Sequence, residues 1–251
     1  MTMTNKRTWL VLGATSMVGR AFAREAAEAG NDIILLGKEV DDLKLATLDL
    51  QARSPDVAVS YMEMDPANVD SFGDIVAKCE ETTQNIISVF SALETAYTQK
   101  ECGKDLGKIK NMFQINYFSQ VYFLTAASAL LQKQGCGEIV VLGSTAGEFG
   151  MPDNYAYGST KAALHVWLQG FYEQMAEHGI YVTTVKVDDY DTVGGDRRYL
   201  LYHHSPDPKE CAKVCLKYAG TKVKVRYFPW YGALSVLRRR FFPALARPLN
   251  K

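Results

Sequence analysis

The chain has 251 residues, of which 47% are hydrophobic and 22% charged, and its formal net charge at pH 7 is zero. These totals are typical of a globular protein with a large core and argue against a disordered or fibrous chain. No run of about 18 apolar residues occurs, and the N-terminal stretch lacks a signal-peptide pattern, so we expect a cytoplasmic protein without a membrane span.

Short apolar runs rich in β-branched residues alternate with segments of helical periodicity. The predicted strands are 8–13, 32–37, 57–64, 86–92, 137–144, 180–187 and 222–228. The predicted helices are 17–30, 40–53, 66–81 beginning at Pro66, 107–133, and 155–179 ending at Gly179. This alternation predicts an α/β fold, a Rossmann-like doubly wound parallel sheet of about seven strands. We expect a single domain over residues 1–228 and a C-terminal tail over 229–251.

The first strand-to-helix turn reads GATSMVG. In a doubly wound fold, this turn points backbone N–H groups at a pyrophosphate beside a helix N-terminus. A glycine-rich turn also occurs for purely geometric reasons, so the turn alone leaves both interpretations open. The predicted contact residues are Gly13, Thr15, Ser16, Met17, Val18 and Gly19.

The second strand ends in Gly37 and Lys38, where NAD-binding folds carry an acidic residue for the ribose hydroxyls. We predict that Lys38 meets the extra phosphate of NADP, and we favour NADP(H) over NAD(H); the alternative is a solvated surface lysine. Asp65 and Pro66 are predicted cofactor contacts; Asp65 is placed either to accept a hydrogen bond from adenine or to cap the helix that begins at Pro66.

Tyr157 and Lys161 are four residues apart, so they share one helix face. An ammonium one turn away favours the phenolate and moves the phenol pKa from about 10 toward the working range. Ser144 ends the fifth strand, at the sheet edge where ligands bind, and there it would orient a substrate carbonyl. Asn116, on the long preceding helix, would hold a water behind Lys161.

Together with GATSMVG, the spacing of Asn116, Ser144, Tyr157 and Lys161 resembles the short-chain dehydrogenase/reductase family over residues 7–192. The resemblance implies hydride transfer between a nicotinamide and a carbonyl or alcohol. It implies that Tyr157 is the general acid and that Lys161 lowers its pKa and binds ribose. It also implies that Ser144 anchors the carbonyl and that Asn116 belongs to a proton relay. Tyr155 would point elsewhere.

Three motifs depart from the family pattern. Met17 replaces the middle glycine of the phosphate turn, so its side chain must point away from the cofactor. Ser91-Ala92-Leu93 replaces Asn-Ala-Gly after the fourth strand, and Val187-Asp188 replaces Pro-Gly after the sixth. The resemblance still implies cofactor contacts at Ser91, Ala92, Val187 and Thr192. These changes leave a rival hypothesis open, a non-catalytic dinucleotide sensor or scaffold.

The end of the chain is basic: ten of the 28 Lys and Arg residues and no Asp or Glu fall in 211–251, so 18 basic and all 28 acidic residues precede residue 211. This stretch includes the 229–251 tail. Its apolar residues at 230, 234, 237, 241 and 245 follow helical spacing, and Pro243 should break the helix. An interfacial helix on an anionic membrane and packing on the protein's own body or a second subunit both fit this pattern; no nucleic-acid partner is expected. The tail resembles that of a bacterial reductase subgroup that includes the enzyme acting on decaprenyl-phosphoryl keto-pentose, which implies a lipid-linked carbonyl substrate.

The five cysteines are irregularly spaced, which suits reduced thiols in a cytoplasm. Cys211 and Cys215 lack further ligands at metal-site spacing, so no metal is expected. Residues 192–208, with His203 and His204, read as a substrate lid in which the histidines are exposed loop residues. The family resemblance implies a homodimer or homotetramer built on the two long helices and a small-molecule or lipid-linked carbonyl substrate.

Overall fold

The computed structural model describes residues 6–188 and 207–241. One sheet of seven parallel strands has the order β3-β2-β1-β4-β5-β6-β7. The strands are β1 (Arg7–Leu12), β2 (Asp32–Gly37), β3 (Val59–Glu63), β4 (Ile86–Ser91), β5 (Gly137–Ser144), β6 (Ile180–Val187) and β7 (Val225–Phe228). The predicted doubly wound α/β sheet is confirmed, and the strand order reverses between β1 and β4, where such folds bind their ligands.

Helices cover both faces of the sheet. They are α1 (Met17–Glu28), α2 (Val40–Arg53), α3 (Phe72–Glu81), α4 (Gln99–Lys104), α5 (Leu106–Phe113), α6 (Ser119–Gln134), α7 (Tyr155–Ala176), α8 (Pro208–Tyr218) and α9 (Gly232–Phe241). Within the described ranges, no helix has both the length and the apolar character needed to cross a bilayer.

The two cores explain why the central strands are mainly apolar. Leu10 and Leu12 of β1 face a core formed with α3, α6 and α7. Trp9 and Val11, which alternate with them, face a second core formed with α1, α2 and α8. Because successive side chains point to opposite faces, a strand that is covered on both sides buries most of its side chains and is therefore mainly apolar.

Two helix predictions were wrong in detail. The helix predicted over 107–133 is α5 and α6 joined by one π-helical turn, Gln114–Phe118. The helix predicted to begin at Pro66 begins later, with a 3-10 turn Val69–Ser71 ahead of α3. Asp65 explains the delay, since its side chain accepts from Ala67 N–H at 2.9 Å and its carbonyl from Asn68 N–H at 3.0 Å, which closes a turn first.

Helix α8 was not predicted, although the sequence signals its start. Asp207 caps the helix by accepting from Lys209 N–H, and Pro208 occupies the first turn. Cys211 and Cys215 lie one turn apart on its buried face, and all five cysteines are free thiols. The boundary between the main domain and the 229–251 tail remains a prediction.

Candidate active site

The carboxyl ends of the parallel strands meet at one edge of the sheet, and the predicted site residues follow those ends. The turn after β1 starts at Gly13, the segment after β4 begins at Ala92, and Ser144 is the last residue of β5. Gly13 has a φ of +69°, and a Cβ there would lie 2.6 Å from Ala92 O. The first turn therefore packs directly on the segment that follows β4.

The turn after β1 has the form of an anion site. Ser16 caps α1 by accepting from Gly19 N–H at 3.0 Å, which leaves the Met17 and Val18 amides in the first helical turn, where N–H groups lack intrahelical acceptors. Met17 is 75% exposed, so its side chain projects into solvent. A Cβ at Gly19 would lie 2.3 Å from Gly13 O, so the backbone packs too closely for any other residue. This cradle fits a dinucleotide pyrophosphate.

Lys38 and Asp65 form an ion pair beside this turn, with Lys38 Nζ 3.1 Å from Asp65 Oδ2. The hydrogen bond from Ala67 N–H lowers the pKa of Asp65, and the hydrogen bond and charge of Lys38 lower it further. Together these effects exceed that of burial, which raises the pKa. Of the two sequence interpretations, the structure shows Asp65 bonded to the turn that follows it. Lys38 remains largely exposed at the end of β2.

Tyr157 and Lys161 share one face of α7, and a third group joins them. Glu94 Oε2 accepts from the Tyr157 hydroxyl at 2.9 Å and lies 2.7 Å from Lys161 Nζ. Lys161 is fully buried, and its ammonium lies 5.6 Å from the centre of the Tyr157 ring. The contact with Glu94 is an ion pair rather than an aligned hydrogen bond, so the buried N–H groups have no hydrogen-bond partner among the described residues. A buried ammonium with unused N–H donors is suited to bind the hydroxyl oxygens of a ribose.

Glu94 was missed in the sequence, where the segment after β4 was interpreted as a changed Asn-Ala-Gly motif with cofactor contacts at Ser91 and Ala92. Its side chain is 38% exposed. Burial alone would raise the pKa of Glu94, but the charge of Lys161, held in close ion-pair contact, and the hydrogen bond from Tyr157 outweigh it, so the pKa lies below its ordinary value. Glu94 is therefore a carboxylate at neutral pH. The available signal was its position, three residues past the carboxyl end of a central parallel strand.

Ser144 is buried at the start of a 3-10 turn, Thr145–Gly147, where its Oγ accepts from Ala146 N–H at 3.1 Å. This turn packs closely on α7, because a Cβ at Gly158 would lie 2.6 Å from Ala146 O. Behind it, His165 Nε2 accepts from Ser144 N–H at 3.4 Å. Burial, with the Lys186 and Lys161 charges, lowers the pKa of His165 to about 3, so this imidazole is neutral.

Asn116 lies in the π-helical turn and fixes the segment that carries Glu94. Its Oδ1 accepts from Thr95 N–H at 2.7 Å, and its Nδ2 donates to Thr95 O at 2.9 Å and to Thr160 Oγ1 at 3.1 Å. The amide thus joins the β4 segment to α7. Single π-helical turns often occur at functional sites, and this one places the Asn116 side chain between the two elements. Its part in a proton relay remains a prediction.

Other predicted positions surround this centre. The Ser91 hydroxyl donates to Gln120 Oε1 at 2.8 Å, so it is engaged inside the protein, while Ala92 N–H bonds Leu12 O at 3.0 Å. Beyond half-buried Val187, Asp188 is buried and accepts from Thr145 Oγ1 at 2.6 Å. Tyr155 lies on the exposed side of α7. Thr192, His203, His204 and the 192–206 part of the expected lid fall outside the described residues.

This arrangement provides a buried phenol, an ammonium and a carboxylate beside a strand-end hydroxyl, next to a phosphate-type turn. Together they can bind a dinucleotide and donate a proton to an oxygen atom held near Ser144.

The comparisons agree with this geometry. A family model described as short chain dehydrogenase matches residues 7–196. An uncharacterized oxidoreductase of Staphylococcus epidermidis is 26% identical over 192 residues, covering 76% of this chain and 81% of that protein.

Two solved structures share the fold. A short-chain dehydrogenase/reductase from Burkholderia phymatum in complex with NAD has a TM-score of 0.82 at 15% identity, covering 100% of this chain and 99% of that one. An alcohol dehydrogenase from Thermococcus sibiricus complexed with 5-hydroxy-NADP has a TM-score of 0.75 at 20% identity, covering 88% and 95%. With the family model spanning most of the chain, this protein belongs to the short-chain dehydrogenase/reductase family and is an NAD(P)-dependent oxidoreductase.

Proposed function

We propose that this enzyme reduces a ketone with NADPH at a cytoplasmic membrane surface, on a lipid-linked or otherwise amphiphilic substrate. The observation that carries the chemistry is the placement of Tyr157 over buried Lys161, on the helix that packs against the Ser144 turn. The five free thiols fit the reducing cytoplasm.

Ser144, Tyr157 and Lys161 have separate roles in the proposed reduction. A bound nicotinamide supplies the hydride. The Ser144 hydroxyl donates to the ketone oxygen and orients it, and Tyr157 transfers its hydroxyl proton to that oxygen as negative charge develops there. The Lys161 ammonium binds the ribose and stabilises the phenolate left on Tyr157.

Reductase activity is tested by following NADPH oxidation against a panel of ketones, with NADPH binding measured separately by fluorescence. We expect a Tyr157→Phe variant to bind NADPH as the wild type does and to turn over at least about 100-fold more slowly, the usual size of a general-acid contribution. A Tyr155→Phe variant, altered on the exposed side of the same helix, should keep full turnover. Equal turnover in Tyr157→Phe and the wild type would remove the proposed mechanism.

Preference for NADPH rests on the end of β2. Gly37 provides no carboxylate for a ribose hydroxyl, and the exposed ammonium of Lys38 is free to turn from Asp65 toward a phosphate. A charge-assisted hydrogen bond to that phosphate outweighs a partly exposed ion pair, which contributes little.

The membrane part of the proposal rests on α9. Val236 is buried and Gly232 packs on Asp188, while Leu234 and Leu237 point outward, 55% and 49% exposed. The guanidinium of Arg239 stacks over Phe149 at 4.5 Å, on the segment that follows the Ser144 turn. Exposed Trp230 and Phe241 extend the apolar stripe. The stripe and its arginines thus lie next to the active-site segment, and a lipid-linked ketone would reach the site from that side.

The tail is tested by co-sedimentation with liposomes containing anionic lipid. A truncation at residue 226 would remove most of β7, so point substitutions are preferable. We expect Leu234→Ser with Leu237→Ser to lower the bound fraction several-fold. The matched control is Leu45→Ser with Leu48→Ser on α2, where the leucines are 64% and 62% exposed. If both double variants sediment like the wild type, α9 does not bind the membrane.

We also propose a homodimer or homotetramer through the two long helices, α6 and α7. Tyr122 on α6 and Val166 on α7 are exposed large apolar side chains, the kind that subunit contacts cover. Light scattering on size-exclusion fractions should give a dimer or tetramer for the wild type and a smaller species for Val166→Glu. A monomeric wild type at micromolar concentration would contradict the proposal.

A further inference from the structure

One oxygen atom of Glu94 touches both members of the Tyr157–Lys161 pair. The pair was expected to consist of a phenol and an ammonium alone, an arrangement that favours the phenolate. The structure contains a negative charge as well, at hydrogen-bond distance from the phenol oxygen. This carboxylate therefore affects the protonation state of Tyr157 in the ligand-free enzyme.

We propose that Glu94 is a positioning residue that keeps Tyr157 protonated, so that the phenol is a proton donor at neutral pH. The proposal rests on the assignment of Tyr157 as the acid of a reduction. If Glu94 keeps Tyr157 protonated, the charges of the site favour reduction over the reverse oxidation, because reduction begins with the protonated phenol.

Two physical effects act together. The Tyr157 hydroxyl donates a hydrogen bond to Glu94, a bond that the phenolate cannot donate. The carboxylate charge also repels a phenolate and offsets the Lys161 ammonium, which alone would favour it. Both effects favour the neutral phenol.

Among the described residues, the charged or titratable groups in contact with Glu94 are Tyr157 and Lys161, both from α7. From the π-helical turn, Asn116 contributes an uncharged amide bonded to Thr95. His165, deeper on α7, is neutral above a pKa of about 3 and adds no charge near neutral pH.

Glu94 is also held in position. The hydrogen bonds of Asn116 to both backbone groups of Thr95 fix the next residue in the chain, and Ala92, two residues earlier, packs on Gly13. A glutamate at a freely moving loop tip would not stay at 2.9 Å from one particular hydroxyl. The fixed backbone on both sides makes the contact a feature of the site.

The test is a pH titration of the ligand-free protein labelled with [¹³Cζ]tyrosine, with the Tyr157 resonance identified by its absence from Tyr157→Phe. We expect Glu94→Gln to move the Tyr157 titration midpoint to lower pH by about one pH unit or more, the size of effect that a nearby like charge produces. Glu94→Asp, which keeps the charge, should remain closer to the wild type.

Glu210→Gln is the matched control, because Glu210 is an exposed carboxylate on α8 that pairs with Lys213. It should leave the Tyr157 midpoint unchanged. A midpoint in Glu94→Gln equal to or above that of the wild type overturns the proposal. Circular dichroism verifies that each variant is folded. Substitutions at Glu94 should not prevent folding, because its side chain is partly exposed.

A second readout uses the pH profile of ketone reduction. A proton donor loses activity as it ionises, so the upper pH limit of kcat/KM for the ketone should fall in Glu94→Gln, in the same direction as the titration midpoint. An unchanged upper limit overturns the proposal. Because the titration needs neither cofactor nor substrate, it stays informative even if NADPH or the ketone proves to be the wrong reactant.

Discussion

Lys161 illustrates how a single side chain depends on distant parts of the sequence. Its spacing from Tyr157 places both on one helix face, and the structure shows them there. Glu94, 67 residues before Lys161, reaches the same point only because the segment after β4 lies against α7 at the sheet edge. Local spacing predicts pairs within a helix. It does not reveal a partner that arrives from another strand.

At Lys38, cofactor choice should depend on one ammonium. Replacing Lys38 with Ala removes a charge-assisted hydrogen bond, and it leaves the Asp65 carboxylate without the lysine charge beside the incoming phosphate. We expect the Kd for NADPH to rise at least about tenfold while that for NADH changes little, measured by fluorescence titration.

Lys44→Ala is the control for that titration, since Lys44 is an exposed lysine that pairs with Asp41 on α2. Its Kd for NADPH should match the wild type. If Lys38→Ala weakens NADPH and NADH binding equally, Lys38 does not select between them.

Among the elements, α7 contains two glycines with opposite surroundings. A Cβ at Gly158 would lie 2.6 Å from Ala146 O, whereas a Cβ at Gly170 would have nothing within 4 Å. Gly→Ala inside a helix ordinarily stabilises by about 1 kcal/mol. We therefore expect Gly170→Ala to stabilise the protein by about that amount, and Gly158→Ala to destabilise it by about 1–3 kcal/mol through overpacking.

Urea unfolding measures both variants, and ketone reduction separates them further. Gly158→Ala must displace the turn that follows Ser144, so its turnover should fall, while Gly170→Ala should keep wild-type turnover. A stabilised, fully active Gly158→Ala would mean that the Ser144 turn does not depend on its contact with α7.

The regular elements could be predicted because each has a local cause. Segments 32–37, 40–53, 137–144 and 180–187 match the structure at both ends, since their hydrophobic patterns end where turn residues begin. The π-helical turn over 114–118 could not be predicted, because its hydrogen bonds span five residues instead of four and shift the helical pattern by only one residue. Its visible cause is tertiary, the Asn116 hydrogen bonds to Thr95 and Thr160.

For the whole molecule, buried His165 should make stability depend on pH. Its pKa of about 3 in the folded state lies below the unfolded value of about 6.5. Below pH 6.5 the unfolded chain therefore binds a proton that the native protein does not bind until near pH 3. This contribution to stability is complete above pH 6.5 and is lost as the pH falls through that window.

The slope amounts to about 1.4 kcal/mol per pH unit for one proton. We expect the free energy of unfolding of the wild type to fall between pH 6.5 and 5 by about 2 kcal/mol more than that of His165→Gln, measured by urea unfolding at both values. His178→Gln, which changes an exposed histidine just beyond α7, should retain the wild-type pH dependence. Parallel curves for the wild type and His165→Gln would show that the imidazole is not held neutral.

The glycine turn after β1 shows where this protein can tolerate change. Met17 stands where the family pattern has a glycine, and the turn accommodates it because the Met17 side chain extends into solvent. Position 13 has no such freedom: any side chain there would collide with the Ala92 carbonyl and push the neighbouring Glu94 away from the phenol. A substitution at Gly13, in the turn after β1, would thus alter the acidity of Tyr157 on α7, a residue that the turn itself does not contain.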